Sequence, residues 1–117
     1  MKISEIRDIL KAEVLVGHDQ LETSVVAGGG ADLMADVLSA VAQGAVLLTG
    51  LTTEQVLRTA KVAGVAAVVF ARGKRPDEPV IELARVYHMP TMLTRYSLFV
   101  ASGRLYMNGL RGLDGSW

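Results

Sequence analysis

The chain has 117 residues, half of them hydrophobic, which suits one domain with its own core. Twelve basic residues balance twelve acidic ones, so nothing in the net charge predicts binding to nucleic acid or to an anionic membrane, and no apolar stretch reaches the roughly 18 residues of a membrane span. The lack of cysteine excludes disulfides, thiolate metal sites and a cysteine nucleophile, and with no signal-peptide core at the amino terminus we expect a cytoplasmic protein.

Helices and strands are predicted in alternation along the first half of the chain. Isoleucines at helical spacing predict a first helix, and residues 13–17 form a short apolar strand. A polar connection leads to a second strand over residues 24–30, which runs into three glycines. The helix after it should end at Gly44, and its predicted inner face consists of Leu33, Met34, Val37, Leu38 and Val41.

The second half continues the alternation with clearer boundary signals. A third strand over residues 45–50 leads to a capping box at Thr52 and Gln55, and a helix follows that closes at Gly64. A fourth strand over residues 66–72 precedes a helix capped by Asp77. The inner faces of these two helices are predicted to carry Val56, Leu57 and Ala60, then Val80, Ile81, Ala84 and Tyr87. Pro90 opens the fifth strand, and Ser97 starts the last helix.

The strands lack the polar alternation of a sheet with one solvated face. Strands that are apolar throughout are buried on both faces, and helices between them favour right-handed crossovers and parallel pairing. We therefore predict an α/β fold, a three-layer α/β/α sandwich with a mainly parallel sheet of about five strands. One domain should span residues 1–110, and the aperiodic residues 111–117 should form a flexible tail.

A ligand site is predicted at the carboxyl ends of the strands, where function gathers in such sheets. If the fourth and fifth strands are neighbours, Arg72 and Arg95 converge there and could clamp a phosphate or carboxylate. The candidate ligand-binding residues are Thr49, Gly50, Thr52, Arg72, Gly73, Lys74, Thr94, Arg95 and Ser97. The alternative is that the cations, Arg75 among them, pair with Asp77, Glu78 or a partner subunit's acids, and that the hydroxyls merely cap helices.

Three further features support simpler interpretations. The three glycines at 28–30 could present amides to a phosphate, but Asp32 and Asp36 would repel it, so a turn with a capping aspartate is favoured. The same two aspartates could hold magnesium, although capping or solvated roles are favoured and we predict no metal. His18 and His88 have no partner at catalytic spacing, so we predict neither a catalytic site nor a cofactor.

One stretch resembles a known family. Residues 70–105, FARGKRPDEPVIELARVYHMPTMLTRYSLFVASGRL, are similar to the end of the amino-terminal domain of HPr kinase/phosphorylase. Together with residues 1–17, 28–41 and 46–60, nearly the whole chain resembles a stand-alone DRTGG domain. The chain has neither an Asp-Arg-Thr-Gly-Gly string nor a kinase P-loop, so kinase activity is not implied. The resemblance implies an α/β fold, self-association and a regulatory role, since such domains accompany CBS, phosphotransacetylase or kinase domains.

Three functional hypotheses follow from these observations. The leading one is a non-catalytic, homodimeric regulatory module that senses a small anionic metabolite such as a nucleotide or regulates a partner enzyme. The alternative is a pure assembly domain without a ligand, whose interface lies around Leu98, Phe99, Arg104 and Tyr106 on the last helix. A small enzyme is less favoured, because no spacing brings two titratable groups together.

Overall fold

A five-stranded sheet lies between two layers of helices in the computed structural model, which describes residues 1–40 and 43–112. The helices are α1 (Ile3–Leu10), α2 (Met34–Ala40), α3 (Glu54–Ala63), α4 (Glu78–Val86) and α5 (Leu98–Met107). The strands are β1 (Glu13–Val16), β2 (Gly28–Gly30), β3 (Val46–Thr49), β4 (Ala67–Phe70) and β5 (Thr91–Leu93). A short 3-10 turn covers His18–Gln20.

The sheet has the strand order β1-β5-β4-β3-β2. β2, β3, β4 and β5 pair in parallel, and β1 pairs antiparallel with β5 at one edge. Gly17, just after β1, has a φ of +94°, and a Cβ there would lie 2.8 Å from the Pro90 Cα. Glycine is therefore required where β1 ends beside the start of β5. The predicted three-layer, mainly parallel architecture is confirmed.

Each face of the sheet packs against its own helices. On β4, Val68 and Phe70 join one core cluster with α2, α3 and α4, whereas Ala67 and Val69 join a second cluster with α1 and α5. All four residues of β4 are fully buried. This alternation explains why the strands show no polar periodicity in the sequence.

β2 is shorter than predicted. It covers Gly28–Gly30 rather than residues 24–30, because the amino terminus occupies the earlier part of that segment. Ser24 forms an isolated antiparallel bridge with Lys2, and the Val25 amide donates to the Met1 carbonyl at 2.7 Å. Ser24 and Val25 therefore bond to the amino-terminal residues instead of extending β2, although the apolar run by itself predicts a strand.

The predicted inner face of α2 is partly wrong. Met34 and Val37 are buried, but Leu33 and Leu38 are exposed. Met34 and Val37 pack with residues of α3 in the first core cluster, and this contact leaves the two leucines to solvent. Val41 lies outside the described residues.

The helix-boundary predictions differ in outcome. The capping box at Thr52 and Gln55 is wrong, because α3 begins at Glu54 and Thr53, one residue after Thr52, occupies its N-cap. Gly64 ends that helix in a left-handed conformation, as predicted. Asp77 stands at the N-cap of α4, although its side chain accepts no capping bond from the described residues.

The last described segment follows the edge of β2. Leu110 is buried, and the Arg111 carbonyl accepts a hydrogen bond from the Gly28 amide at 2.9 Å. Residues 113–117 of the predicted tail lie outside the described residues. None of the helices in the described part of the chain has the length and hydrophobicity needed to cross a membrane.

Candidate anion-binding site

The carboxyl ends of the parallel strands meet at one edge of the sheet. β3 ends in Thr49-Gly50, β4 leads to Arg72-Gly73, and β5 leads to Thr94-Arg95. Because β1 runs antiparallel, its first residue lies at the same edge, where Glu13 is in register with Leu93. Residues from four strands are thereby placed close together.

Backbone hydrogen bonds join the two turns that carry Arg72 and Arg95, the arginines predicted to converge. The Arg72 amide donates to the Tyr96 carbonyl, and the Gly73 amide donates to the Thr94 carbonyl, both at 2.8 Å. Arg72 itself has a φ of +66°, in the left-handed region that non-glycine residues rarely adopt. The turn after β4 is therefore held against the turn after β5.

The side chains of these arginines take different directions. The Arg72 Nη2 donates to the Gly50 carbonyl at 3.3 Å, so this guanidinium lies over the end of β3. Arg95 instead lines a cleft on the β1 side of the sheet. The structure brings both residues to the same edge, and binding of one ligand by both stays a prediction.

The cleft has a volume of about 450 Å³ and lies between the end of α1 and the turns after β4 and β5. Its lining residues are Leu10, Lys11, Glu13, Gly73, Arg75, Leu93, Arg95 and Tyr96. Three of the charged residues are cationic and one is anionic, in a chain whose net charge is zero. The cleft is thus a local concentration of positive charge, and guanidinium groups are suited to phosphate and carboxylate oxygens.

Glu13 and Arg75 form an ion pair across this cleft. The Arg75 Nη1 donates to the two carboxylate oxygens of Glu13, at 2.9 and 3.1 Å. Both side chains are more than half exposed, so the pair contributes little to folding stability. Because of this ion pair, the Glu13 carboxylate already neutralises Arg75, one of the three cationic residues of the cleft.

Tyr96 adds an aromatic ring to the same cleft. The ring is partly buried, and the Arg104 guanidinium carbon lies 4.3 Å from its centroid in a cation–π contact. Arg104 belongs to α5, so this contact connects the cleft with that helix. An aromatic ring next to cationic side chains is a combination that can hold a base and a phosphate.

Most of the predicted hydroxyl ligands make hydrogen bonds within the protein. The fully buried Thr49 donates to Asp32 Oδ1 at 3.2 Å and accepts from the Leu51 amide. Thr94, also fully buried, donates to the Leu10 carbonyl at 2.8 Å. The Ser97 hydroxyl accepts from the Val100 amide at 3.2 Å, which confirms it as the N-cap of α5. These contacts account for the three hydroxyls without a ligand.

Two further side chains predicted to bind the ligand, Lys74 and Thr52, lie outside the lining of the cleft. Lys74 is exposed in the loop between β4 and α4. Thr52 is partly buried in the connection between β3 and α3. Neither lines the cationic cleft, so their roles in binding stay predictions.

Asp32 stabilises the turn after β3. Its Oδ1 accepts from the Gly50 amide at 2.7 Å as well as from Thr49. This bond ties the chain after β2 to the end of β3, which differs from the helix-capping role expected for this aspartate. In the described ranges, no group of three or more potential metal ligands is found.

Both histidines are exposed. His18 is exposed in the 3-10 turn, and His88 is exposed just after α4 with a φ of +52°. The His88 carbonyl accepts a hydrogen bond from the Gln20 side chain at 2.9 Å. The His88 backbone therefore has a structural role in joining the two segments.

The four predicted interface residues on α5 have different surroundings. Phe99 is 87% exposed and Tyr106 is 47% exposed. Leu98 packs against the second core cluster, and Arg104 lies over Tyr96. The helix therefore presents aromatic surface to solvent beside one inward-facing leucine.

The binding-site residues predicted from the sequence do not include Lys11 or Glu13. Lys11 ends α1 in a left-handed conformation, and Glu13 begins β1 two residues later. Both reach the site only because β1 is antiparallel to β5, a pairing between distant segments. The sequence signal that could have indicated them is a cation and a carboxylate, Lys11 and Glu13, placed two positions apart where the first helix meets the first strand.

The three-layer sandwich with its mainly parallel sheet defines a small domain of the α/β class. The sequence profile of the DRTGG domain matches residues 5–107. The chain therefore belongs to the DRTGG domain family. No curated protein matches the sequence.

A solved structure has a similar fold. It contains the CBS and DRTGG domains of the regulatory region of a Clostridium perfringens pyrophosphatase, complexed with the activator diadenosine tetraphosphate. The TM-score is 0.74 at 18% identity, over 89% of this chain and 45% of the other. This chain therefore spans less than half the length of the solved regulatory region, and the likeness shows the fold alone.

Proposed function

We propose that this protein is a non-catalytic regulatory module that binds a small anionic metabolite, a nucleotide foremost, in the cationic cleft. In this proposal it acts in the cytoplasm as a homodimer and controls a partner enzyme. The observation that carries the proposal is the grouping of Lys11, Arg75 and Arg95 around one cleft of an electrically neutral chain. Cations that share a cleft at the carboxyl edge of a parallel sheet favour phosphate or carboxylate ligands.

The chemistry of the cleft favours a nucleotide among the anions. Arg75 and Arg95 supply guanidinium groups for phosphate oxygens, and Tyr96 supplies a ring on which a base can stack. A volume of about 450 Å³ is within the usual range for small-molecule sites. An inorganic ion alone would leave the aromatic side of this cleft unused.

The family gives independent support for a regulatory role. The DRTGG domain of the solved neighbour is part of an enzyme's regulatory region, and that structure contains a nucleotide activator. The resemblance to the amino-terminal domain of HPr kinase/phosphorylase supports the same kind of role. The regulatory role is inferred from these relatives, and the anion site is inferred from this chain's own residues.

The proposal is tested by calorimetric titration of the protein with inorganic phosphate, pyrophosphate, AMP and ATP. Saturable binding of a nucleotide that is weakened in Arg95→Ala would support it. Arg85→Ala is the matched control, since Arg85 is an exposed arginine on α4 that pairs with Glu78 and Glu82 outside the cleft. Equal weakening by both variants would reject the cleft as the site.

A pure assembly domain is the second candidate, and one observation favours it. α5 exposes Phe99, Tyr106 and Met107 to solvent, which is more apolar surface than a short surface helix usually presents. This candidate predicts association without any ligand and no saturable heat in the titration above. The two functions are compatible if the cleft binds the ligand and α5 makes the assembly.

A further inference from the structure

The outer face of α5 carries an apolar stripe, formed by Phe99, Val100, Gly103, Tyr106 and Met107. Phe99 is 87% exposed and Met107 is 85% exposed. The single charged residue of the helix, Arg104, is folded over the Tyr96 ring beside the stripe. The outer face of α4, by contrast, carries an ion-paired network of glutamates and an arginine, as expected for a solvated helix.

Gly103 lies in the middle of this stripe and has no evident role among the described residues. A Cβ at this position would meet no described atom within 4 Å, and its φ lies outside the left-handed region. Glycine in a helix interior is less stable than alanine, so the residue weakens α5 without an intramolecular gain. A glycine on an exposed helix face permits another backbone to approach closely.

The stripe is symmetric about Gly103. Phe99 and Met107 lie four residues before and after it, and Val100 and Tyr106 lie three residues before and after it. A two-fold axis through Gly103 would therefore place Phe99 of each copy against Met107 of the other, and Val100 against Tyr106. Self-complementarity of one patch is the requirement of a two-fold dimer.

The area of the stripe is consistent with such a dimer. The exposed parts of its four large side chains amount to roughly 500 Å² per copy, given the 150–250 Å² that one aromatic residue can bury. Two copies would remove on the order of 1,000 Å², which reaches the lower range of specific interfaces before any neighbouring residues are counted. The two arginines that border the stripe are each held against a tyrosine ring, Arg104 over Tyr96 and Arg111 over Tyr106, at 4.3 and 4.2 Å from the ring centroids.

We propose that α5 is the dimer interface, packing antiparallel against α5 of a second copy with the two helices crossing at Gly103. This inference rests on the self-association included in the proposed function, and it names the surface. It does not depend on the anion site, because the stripe and the lining of the cleft share no residue. The proposed surface keeps Phe99 and Tyr106 from the sequence-based interface and adds Val100, Gly103 and Met107.

The test uses the absence of native cysteine in the chain. Gly103→Cys should cross-link the full chain into a covalent dimer under mild oxidation, since the two Cα atoms would be near the roughly 5–6 Å of a disulfide. Val62→Cys is the control, because Val62 is 77% exposed on α3, on the other side of the sheet. Equal cross-linking of both variants would overturn the proposal.

Sedimentation of the cysteine-free protein provides the second measurement. At roughly 100 μM we expect a dimer, and Phe99→Asp and Met107→Asp should each raise the dimer dissociation constant at least about tenfold, whereas Val62→Asp should not. Circular dichroism would verify that each variant is folded. A dimer unaffected by both α5 variants would overturn the interface alone. A monomeric wild-type protein would overturn the interface and the self-association together, with the titration of the cleft unaffected.

Discussion

Arg75 and Glu13 are joined across the cationic cleft by hydrogen bonds of 2.9 and 3.1 Å from one guanidinium nitrogen to both carboxylate oxygens. Arg75 belongs to the loop after β4, and Glu13 begins β1. Because the pair is largely exposed, its main consequence concerns binding rather than stability. An incoming anion has to compete with Glu13 for Arg75.

Removal of the competing carboxylate should strengthen anion binding. Glu13→Gln is expected to raise the affinity for a nucleotide roughly two- to fivefold, because Arg75 is released from an exposed ion pair. Calorimetric titration measures the change. Glu22→Gln is the matched control, since it breaks the exposed pair of Glu22 with Lys2 outside the cleft. Weaker binding in Glu13→Gln would show that Glu13 holds the ligand rather than competing with it.

Anion binding should decrease with ionic strength. Arg75 and Arg95 are exposed, so their attraction for a ligand is screened by salt. Raising the salt from about 0.05 M to about 0.5 M should therefore weaken the binding of ATP more than the binding of AMP, which carries fewer charges. Titrations at the two salt concentrations test this. Equal affinities at both concentrations would indicate that the ligand is held by uncharged contacts.

Two buried threonines in or next to β5 should respond in opposite ways to the same substitution. Thr94→Val is expected to destabilise the fold by about 1–3 kcal/mol, because it leaves the Leu10 carbonyl without its 2.8 Å hydrogen bond. Thr91→Val should be neutral or stabilising, since the buried Thr91 hydroxyl has no partner among the described residues. Urea unfolding of the two variants measures both effects.

The comparison also tests the predicted ligand role of Thr94. Thr94→Ser should retain most of the stability, because it retains the hydroxyl. If Thr94→Val were as stable as the wild type and lost only ligand binding, the structural role assigned to this hydroxyl would be contradicted.

Asp32 should contribute to stability through the turn after β3. Asp32→Ala is expected to lower the free energy of unfolding by about 1–3 kcal/mol, because the Gly50 amide and the Thr49 hydroxyl both lose an acceptor. Asp36→Ala is the control, as Asp36 is exposed on α2. Thermal unfolding with and without magnesium measures the effect. A large stabilisation by magnesium that disappears in Asp32→Ala would instead identify a metal site.

The sequence predicted the layers and strands well because those signals are local. Uninterrupted apolar runs such as β3 and β4 are readily interpreted as buried strands. Gly64 ends α3 and Ser97 begins α5 through capping interactions that involve only a few neighbouring residues. The length of β2 was not predictable in this way. It depends on Met1 and Lys2, which bond to residues more than twenty positions away.

The candidate site could be located from the sequence but its composition could not. The carboxyl ends of the strands indicated the correct edge of the sheet and brought Arg72 and Arg95 to it. The direction of the Arg72 guanidinium depends on its hydrogen bond to the Gly50 carbonyl. The cleft that Arg95 lines depends on the antiparallel pairing of β1 with β5. The same long-range pairing places Lys11 and Glu13 in the cleft, so local patterns could not reveal them.

The anion site in the cationic cleft is tested by calorimetric titration of the wild type and Arg95→Ala with ATP and diadenosine tetraphosphate. We expect saturable binding by the wild type, a loss of at least about tenfold in affinity for Arg95→Ala, and unchanged affinity for Arg85→Ala. Absence of binding at about 1 mM nucleotide, or equal affinities for the wild type and Arg95→Ala, would contradict it.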